Sequence, residues 1–401
     1  MSSSLYNRLK KIKDNKVDQD RRGNKRSKVS HRDFFTSVGV RQEPLQPTNS
    51  LWKLVRPGVW ELKTLFPLAI DPNLIYHGLE GHPGNWAWFD TETTGLSNGA
   101  GTVIFLFGIA SPRMGSWECT QVFLEDYPYE PEFLGRIQEL ICQFDGLASY
   151  NGSTFDLPLL RSRFIMNGLV VPEIHHLDLL RPVRRLWRDS RVSCSLGTIE
   201  HEILGVQRIR DVAGMLIPGL YQEYLRAAIP DPGSFTSLSD VFAHHLSDHW
   251  SMIQLTQVLG TVTLALKQKS DSSAFEEWGI TRLGLLRFLV PQGYSKNDLD
   301  YLAGLTLEQG SGFAQLLPRL LIGLGDYSSS LPWLKAGVGD GSLWSLERLL
   351  IYYEHREKNP SKALKELEDY WAIHPDSRMR LSQAQGARWN SRHQRLRRKS
   401  G

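Results

Sequence analysis

The feature that most constrains the fold is a short apolar run that ends on two acidic residues, two positions apart. The run extends from Trp86 to Phe89, and the acids are Asp90 and Glu92. Side chains alternate along a β-strand, so both carboxylates are predicted to lie on one face. Two acids there are costly unless a cation neutralises them, and hard divalent cations do this best. An isolated pair could be two solvated acids, but the whole string Phe89–Leu96 favours a metal site.

Apolar patterns around this motif predict a mixed α/β sheet. Buried or half-buried strands are predicted over 102–110, 117–124 and 147–150. A helix is predicted over 131–144, with its apolar residues on one face. Short strands are also predicted around a turn at Pro57–Gly58. Three strands, a helix and a further strand are typical of the opening of a mixed α/β sheet.

A second acidic residue, Asp156, opens an apolar helix just after the strand predicted to end at residue 150. Its carboxylate could be only a cap or a dipole partner for that helix. Together with the first motif, the position favours a place in the same acid site. Asn151, Phe155 and Leu159 are then predicted to lie where a substrate passes.

A third group of polar side chains begins the long helix predicted over 243–267. His244 and Asp248 are four residues apart and therefore share a helix face. A histidine beside a metal-binding carboxylate suits the activation of water. His245 and His249 are also four apart, a spacing that could suggest zinc, but no third ligand is at hand. We interpret those two as surface or packing histidines.

Charge is distributed very unevenly along the chain. Residues 1–42 hold 12 Lys/Arg and 4 Asp/Glu, a net charge of +8, and residues 378–401 hold 8 Lys/Arg and no acids. The formal net charge is +4, so residues 43–377 carry −12. Basic arms on an acidic body suggest contact with a polyanion, most simply nucleic acid. The alternative is that both arms are solvated, disordered tails that aid solubility.

Cysteine content and hydropathy exclude two classes of protein. The three cysteines are far apart and form no CxxC pair, which argues against a disulfide scaffold or a thiolate zinc site and fits a reducing cytoplasm. No apolar stretch reaches the roughly 18 residues of a membrane span. The N-terminus is polar and basic, unlike a secretory signal peptide. We therefore expect a cytoplasmic protein with no membrane partner.

Beyond Lys269, a Ser-rich linker leads into a region that is predicted to be helical to about residue 373. Trp344–Tyr353 and Ser361–Trp371 form an amphipathic pair whose spacing resembles one tetratricopeptide unit. No clean second copy follows, so a generic helical cap remains an alternative. The predicted organisation is a basic, disordered tail, a lead-in segment, an α/β domain, a tetratricopeptide-like helical region and a basic tail, over residues 1–45, 46–80, 81–268, 269–376 and 377–401.

Together these motifs resemble the DEDD superfamily of exonucleases, which have a ribonuclease H-like fold, and most closely its YprB-like group of bacterial proteins. The resemblance covers about residues 80–267, and His176–Leu180, Arg184–Trp187 and Cys194–Glu200 also look like that group. It implies a ribonuclease H-like mixed sheet flanked by helices, followed by an all-α C-terminal domain. One departure is that His245 stands where the family commonly has Asn.

The resemblance implies a metal-dependent 3′–5′ exonuclease that acts on a single-stranded end of DNA or RNA. Two Mg²⁺ or Mn²⁺ ions, about 3.5–4 Å apart, would bridge the scissile phosphate. Asp90 would bridge the ions, Glu92 and Asp156 would complete their ligands, Asp248 would hold one ion, and His244 would orient or deprotonate the water. The residues expected to contact substrate are Thr93, Gly95, Leu96, Asn151 and Phe155.

Other interpretations remain open from the sequence. One is a nucleic-acid-binding scaffold with weak catalysis, in which the helical region recruits a protein partner. Another is an endonuclease or junction resolvase on the same fold. Asp178 is either a structural hydrogen-bond partner or a substrate contact. The glycine-rich strings near 323–325 and 337–341 lack the strand–loop–helix context and the Lys of a nucleotide cradle, which excludes an ATPase.

Overall fold

The structure is a computed structural model in which a seven-stranded mixed sheet is followed by a helical region. The predicted N-terminal tail over 1–45 lies outside the described residues. Among the helices that can be described, none is long and apolar enough to cross a membrane. The described residues are 52–66, 85–95, 99, 101–113, 116–191, 193–208, 211–227, 235–310 and 312–400.

The strands of the sheet lie in the order β1-β2-β5-β4-β3-β6-β7. From β1 to β3 in this order, adjacent strands pair antiparallel. The remaining pairs, β3 with β6 and β6 with β7, are parallel. This pattern confirms the predicted mixed sheet. The strands are β1 Lys53–Arg56, β2 Val59–Phe66, β3 Trp86–Thr93, β4 Ile104–Arg113, β5 Ser116–Leu124, β6 Gly146–Ser149 and β7 His175–Asp178.

The first two strands come from the segment that the sequence assigned to a lead-in over 46–80. β2 pairs with β5 along its whole length, from Val59 opposite Leu124 to Phe66 opposite Trp117. Residues 53–66 therefore belong to the sheet that carries the acidic motifs. This pairing joins segments far apart in the sequence. The local pattern therefore predicted the two strands but not their position in the sheet.

Helices cover both faces of the sheet. In the part of the chain that carries the acidic motifs they are α1 Glu130–Ile141, α2 Asp156–Met166, α3 Leu180–Trp187, α4 Leu196–Ile199, α5 Ile217–Arg226 and α6 Ser239–Gln268. A π-helical turn, Glu200–Leu204, follows α4. Alternation along β3 sends Ala87 and Phe89 into a core with α1, α2 and α5, and sends Trp86 and Trp88 into a core with α3 and α6.

Helices are the only regular secondary structure in the described residues after 269, which confirms the predicted all-α C-terminal region. Its helices are α7 Ser273–Glu276, α8 Arg282–Leu289, α9 Lys296–Gly304, α10 Phe313–Gly323, α11 Tyr327–Gly339, α12 Leu343–Ile351, α13 Pro360–Ile373, α14 Pro375–Met379 and α15 Gln383–Ser400. Its first half shares a core with the sheet through Trp278 and Phe288, and its second half forms a separate core around Tyr353 and Tyr370.

The basic C-terminal segment forms the helix α15 and packs on the second helical core. Leu396 is fully buried there. Several of its cations pair with acids of neighbouring helices, among them Arg395 and Lys399 with Glu354, and Arg397 with Glu368. Part of the positive charge of residues 378–401 thus forms ion pairs that stabilise the packing of α15, so this segment is not a solvated, disordered tail.

Candidate functional site

Strand β3 places two acids on one face and a hydroxyl on the other. Asp90 and Glu92 point to the side of the sheet covered by α6, as period-two alternation predicts, while Thr91 is buried on the opposite side. The pairing of β3 with β4 shifts register between Glu92 and Thr93. A bulge of this kind re-aims side chains at the end of a strand. Thr91 Oγ1 donates a hydrogen bond to Asp156 Oδ1, which links the first two motifs.

Asp156 is the first residue of α2 and is almost completely buried, with 5% exposure. The turn before it is tight. Asn151 takes a left-handed φ of 68°, and a Cβ on Gly152 would lie 2.1 Å from Ser149 Oγ and 3.2 Å from Asp156 Oδ2. A larger residue than glycine at 152 would therefore push this turn away from the acid site.

Asp178 holds this same turn from the end of β7. Its Oδ1 accepts hydrogen bonds from the backbone N–H of Asn151 at 2.8 Å and of Leu180 at 3.0 Å. Its Oδ2 accepts from Ser153 Oγ at 2.5 Å. Of the two roles that the sequence left open, these contacts favour the structural hydrogen-bond partner.

Helix α6 brings the third motif over β3. His244 Nε2 lies 3.5 Å from Asp248 Oδ2, one turn along the helix. One potential ligand atom from each of Glu92, His244 and Asp248 lies within 4.8 Å of the others. These three side chains could hold a metal ion, with Asp90 and Asp156 beside them on β3 and α2.

The electrostatics of the acids indicate that they are close to one another and poorly solvated. Burial raises the pKa of Asp90 well above its usual value, and the nearby charges of Asp156, Asp248 and Glu92 raise it further. Burial also raises the pKa of Glu92 to about 8, although His244 opposes this shift. For Asp156, burial raises the pKa to about 6 against the hydrogen bond from Thr91. Such a cluster favours the binding of cations.

One cation of the chain itself already lies in this cluster. The guanidinium of Arg208 contacts the carboxylates of Asp248 and Glu200 and lies 3.4 Å from Asp211 Oδ1. Burial alone would lower the pKa of Arg208, but the adjacent carboxylates of Asp248 and Glu200 raise it. No sequence pattern marks this role, because Arg208 lies in an aperiodic stretch between the π-helical turn and α5.

A carboxylate orients His244 from outside the predicted motifs. His244 Nδ1 lies 2.5 Å from Asp211 Oδ1, so the imidazole N–H donates to that carboxylate. Burial lowers the pKa of His244, but the bond to Asp211 and the charge of Asp248 outweigh it and raise the pKa. With Nδ1 engaged, Nε2 faces Asp248. Asp211, like Arg208, lies in the aperiodic stretch before α5, so no sequence pattern marked it.

His245 and His249 are completely buried between α6 and the sheet, so they are packing residues rather than surface residues. Their rings pass over Gly108, where a Cβ would lie 2.3 Å from the Cε1 atom of each. His245 Nδ1 is 3.0 Å from Gln121 Nε2, and its Nε2 is 3.2 Å from the backbone oxygen of Asp90. His245 thus ties α6 directly to the strand that carries Asp90.

The predicted substrate contacts fall in several environments. Thr93 Oγ1 donates to Gly95 O at 2.6 Å, which stabilises the turn after β3. Asn151 is exposed and Phe155 is half-buried, both at the turn before α2. Leu159 is buried in the core with α1, so its prediction as a substrate contact was wrong. Leu96 lies outside the described residues.

The sequence of residues 87–260 matches the family model of the ribonuclease H superfamily. The chain thus carries a ribonuclease H-like domain. It is also 36% identical over 203 residues to the uncharacterized protein YprB of Bacillus subtilis, which confirms the predicted YprB-like resemblance. That alignment covers 48% of this chain and 47% of YprB, so the chain spans about half the length of this relative.

Among solved structures, the family B DNA polymerase of the archaeon Pyrobaculum calidifontis is similar to this chain with a TM-score of 0.35 and 17% sequence identity. The similarity covers 55% of this chain and 28% of the polymerase. The assignment of the ribonuclease H-like domain therefore rests on the sequence match and on the mixed sheet.

Proposed function

We propose that the ribonuclease H-like domain is a metal-dependent 3′–5′ exonuclease that hydrolyses phosphodiester bonds of single-stranded nucleic acid. The observation that carries the proposal is the convergence of Asp90, Glu92, Asp156 and Asp248 from β3, α2 and α6. Burial raises the pKa of the first three, and repulsion from the neighbouring acids of this set raises the pKa of Asp90 and Glu92 further. Exonuclease polarity is supported by the resemblance of these motifs to the DEDD superfamily.

The donor set fits hard divalent cations. It consists of four carboxylates with the imidazole of His244 beside them, and no thiolate belongs to this cluster among the described residues. Oxygen ligands of this kind suit Mg²⁺ or Mn²⁺. Asp90, Glu92, Asp156 and Asp248 would hold two such ions. When bound, the ions would supply Lewis acidity at the scissile phosphate and lower the pKa of a water molecule.

The remaining chemistry belongs to side chains of this chain. His244 has its Nδ1 fixed by Asp211. Its Nε2, which lies 3.5 Å from Asp248 Oδ2, would orient a water molecule and accept its proton. The carboxylate of Asp211 would then stabilise the resulting imidazolium. Asp178 keeps the turn at Asn151 in place, so that the adjacent Asp156 remains aimed at the site. The arrangement supports water as the nucleophile.

An endonuclease on the same fold is the main alternative. Substrates that differ in their ends distinguish the two activities. We expect a linear single strand to be shortened, while a circular strand and a strand with a blocked 3′ end remain intact. Cleavage of the circular strand would favour the endonuclease. Binding of all three strands without any cleavage would favour the scaffold with a weak or inactive site. DNA and RNA versions of the same strands would identify the substrate class.

A further inference from the structure

A second polar site lies next to the acid cluster, on the other side of the turn that leads into α2. It is an open cavity of about 570 Å³ between α3, the segment that precedes α4, and this turn. Three arginines line it: Arg184 from α3, Arg188 at the C-cap of that helix, and Arg191 just beyond it. No Asp or Glu belongs to its described lining.

Two of these arginines present their charge to solvent. Arg184 and Arg188 are both exposed, and no carboxylate among the described residues forms an ion pair with Arg184. Arg188 Nε lies 3.6 Å from Asp189 Oδ1, a long surface contact. Arg191, in contrast, is engaged with Glu202 at 3.2 Å and with the backbone oxygen of Trp278 at 2.9 Å. Arg184 and Arg188 are therefore the cations available to a ligand.

The cavity and the acid site share one rigid turn. Tyr150 and Asn151 line the cavity, and the next residue, Gly152, lies against the carboxylate of Asp156. Tyr150 Oη donates to the backbone oxygen of Cys194 at 2.5 Å, which joins the turn to the far wall. A strand whose reacting phosphate sits among the acids would carry its neighbouring phosphates toward these arginines.

We propose that Arg184 and Arg188 bind backbone phosphates of the substrate strand beside the bond to be cleaved. The inference rests on the proposed nuclease function for its choice of ligand. Guanidinium groups match phosphate oxygens in shape and remain charged. Residues 43–377 carry a net charge of −12, so a polyanionic strand needs a local patch of this kind to approach the site.

The test measures strand binding rather than turnover. A 5′-fluorescein-labelled single-stranded oligodeoxythymidine is titrated with the full chain in EDTA at several salt concentrations. The double variant Arg184→Gln/Arg188→Gln should bind weaker by roughly tenfold per side chain. Its salt slope should fall by about 1.4, because each lost phosphate contact removes about 0.7.

The matched control is Arg226→Gln/Lys267→Gln, which removes two exposed cations from α5 and α6 outside the cavity. It should bind like the wild type. Equal loss in both double variants, no loss in the cavity variant, or no binding by the wild type would each overturn the proposal. So would displacement of the strand by an equimolar amount of thymidine monophosphate, which would assign the cavity to a released mononucleotide.

Failure of the proposed nuclease function would be distinguishable. If the wild type binds the strand through Arg184 and Arg188 but does not cleave it with Mg²⁺ or Mn²⁺, the phosphate site stands and the exonuclease does not. If the cavity variant cleaves both a dinucleotide and a long strand as well as the wild type does, the acid site stands and the phosphate site does not.

Discussion

The guanidinium of Arg208 bridges the carboxylates of Asp248 and Glu200, so an internal cation neutralises one acid of the proposed metal site. The side chains of Arg208 and Asp248 are largely buried, with 14% and 17% exposure. A charge buried to this degree is costly when its partner is removed. Arg208 thus stabilises the site and also competes with any second cation that approaches Asp248.

Replacing Arg208 should destabilise the metal-free protein and tighten divalent binding. Arg208→Gln leaves two buried carboxylates without their cation, a loss of roughly 3 kcal/mol in the free energy of unfolding. Because a bound ion would replace the missing charge, the rise in melting temperature caused by Mn²⁺ should be larger than in the wild type. Thermal unfolding with and without Mn²⁺ measures both effects.

Arg113→Gln is the matched control, because the exposed Arg113 pairs with Glu118 near the ends of β4 and β5, away from the acid cluster. A surface pair of this kind contributes about 1 kcal/mol or less. An Arg208 variant that unfolds like this control, with an unchanged response to Mn²⁺, would contradict the role of Arg208.

His244 should control turnover without controlling metal binding. His244→Ala removes the group proposed to orient and deprotonate water, so cleavage should slow by about 10²–10⁴-fold. Asp211→Asn should also slow it, since the amide no longer fixes Nδ1 as a donor to a carboxylate. Calorimetric titration with Mn²⁺ should give similar affinities in both variants. Normal rates between pH 6 and 9 would mean that His244 only packs.

Metal binding should release protons and strengthen as the pH rises. Burial raises the pKa of Glu92 to about 8 and that of Asp156 to about 6, so below these values a cation must displace protons from the site. Affinity for Mn²⁺ should increase from pH 6 to about pH 8 and then level off. Calorimetry in two buffers of different ionisation enthalpy counts the protons. Glu92→Gln should release fewer protons when Mn²⁺ binds. Equal proton counts in variant and wild type would contradict the raised pKa of Glu92.

The raised pKa of Glu92 also determines how the stability of the metal-free protein changes with pH. A carboxyl group whose pKa is raised on folding stabilises the fold below its unfolded pKa of about 4.3, and this contribution is lost as the pH rises through about 8. The metal-free wild type should therefore lose more stability over this range than Glu92→Gln.

Glu354 should hold the C-terminal helix in a pH-dependent way. Burial would raise its pKa, but hydrogen bonds from Arg395 and Lys399 outweigh this and lower the pKa to about 2. The contribution to stability is thus complete above the unfolded pKa and disappears as the pH falls toward 2. Hydrogen exchange in residues 383–400 should be faster in Glu354→Gln at pH 7. Glu357→Gln, which removes an exposed pair with Lys362 instead, should leave it unchanged.

Local spacing was sufficient to predict the elements that carry the acids. Period two placed Asp90 and Glu92 on one strand face, and a four-residue spacing placed His244 and Asp248 on one helix face. The strand-to-helix turn before Asp156 was also visible, because an Asn–Gly pair separates two apolar segments. These patterns depend only on residues close in sequence.

Contacts between distant segments were not predictable in the same way. Arg208 reaches Asp248 across 40 positions, and no periodicity marks it. Gly108 accepts the rings of α6 only because β4 pairs with β3 in the observed register. The wrong prediction for Leu159 has a similar cause, since helix orientation about its own axis is set by the core on which it packs.

Cleavage at the acid cluster should depend on a divalent metal, and this is tested with a 5′-labelled single strand. Wild type with Mg²⁺ or Mn²⁺ should give a ladder of products shortened from the 3′ end, and EDTA should abolish it. Asp90→Asn should be inactive with its fold retained, whereas the exposed Asp376→Asn should match the wild type. Full activity of Asp90→Asn, or a ladder that persists in EDTA, would contradict metal-dependent cleavage at this site.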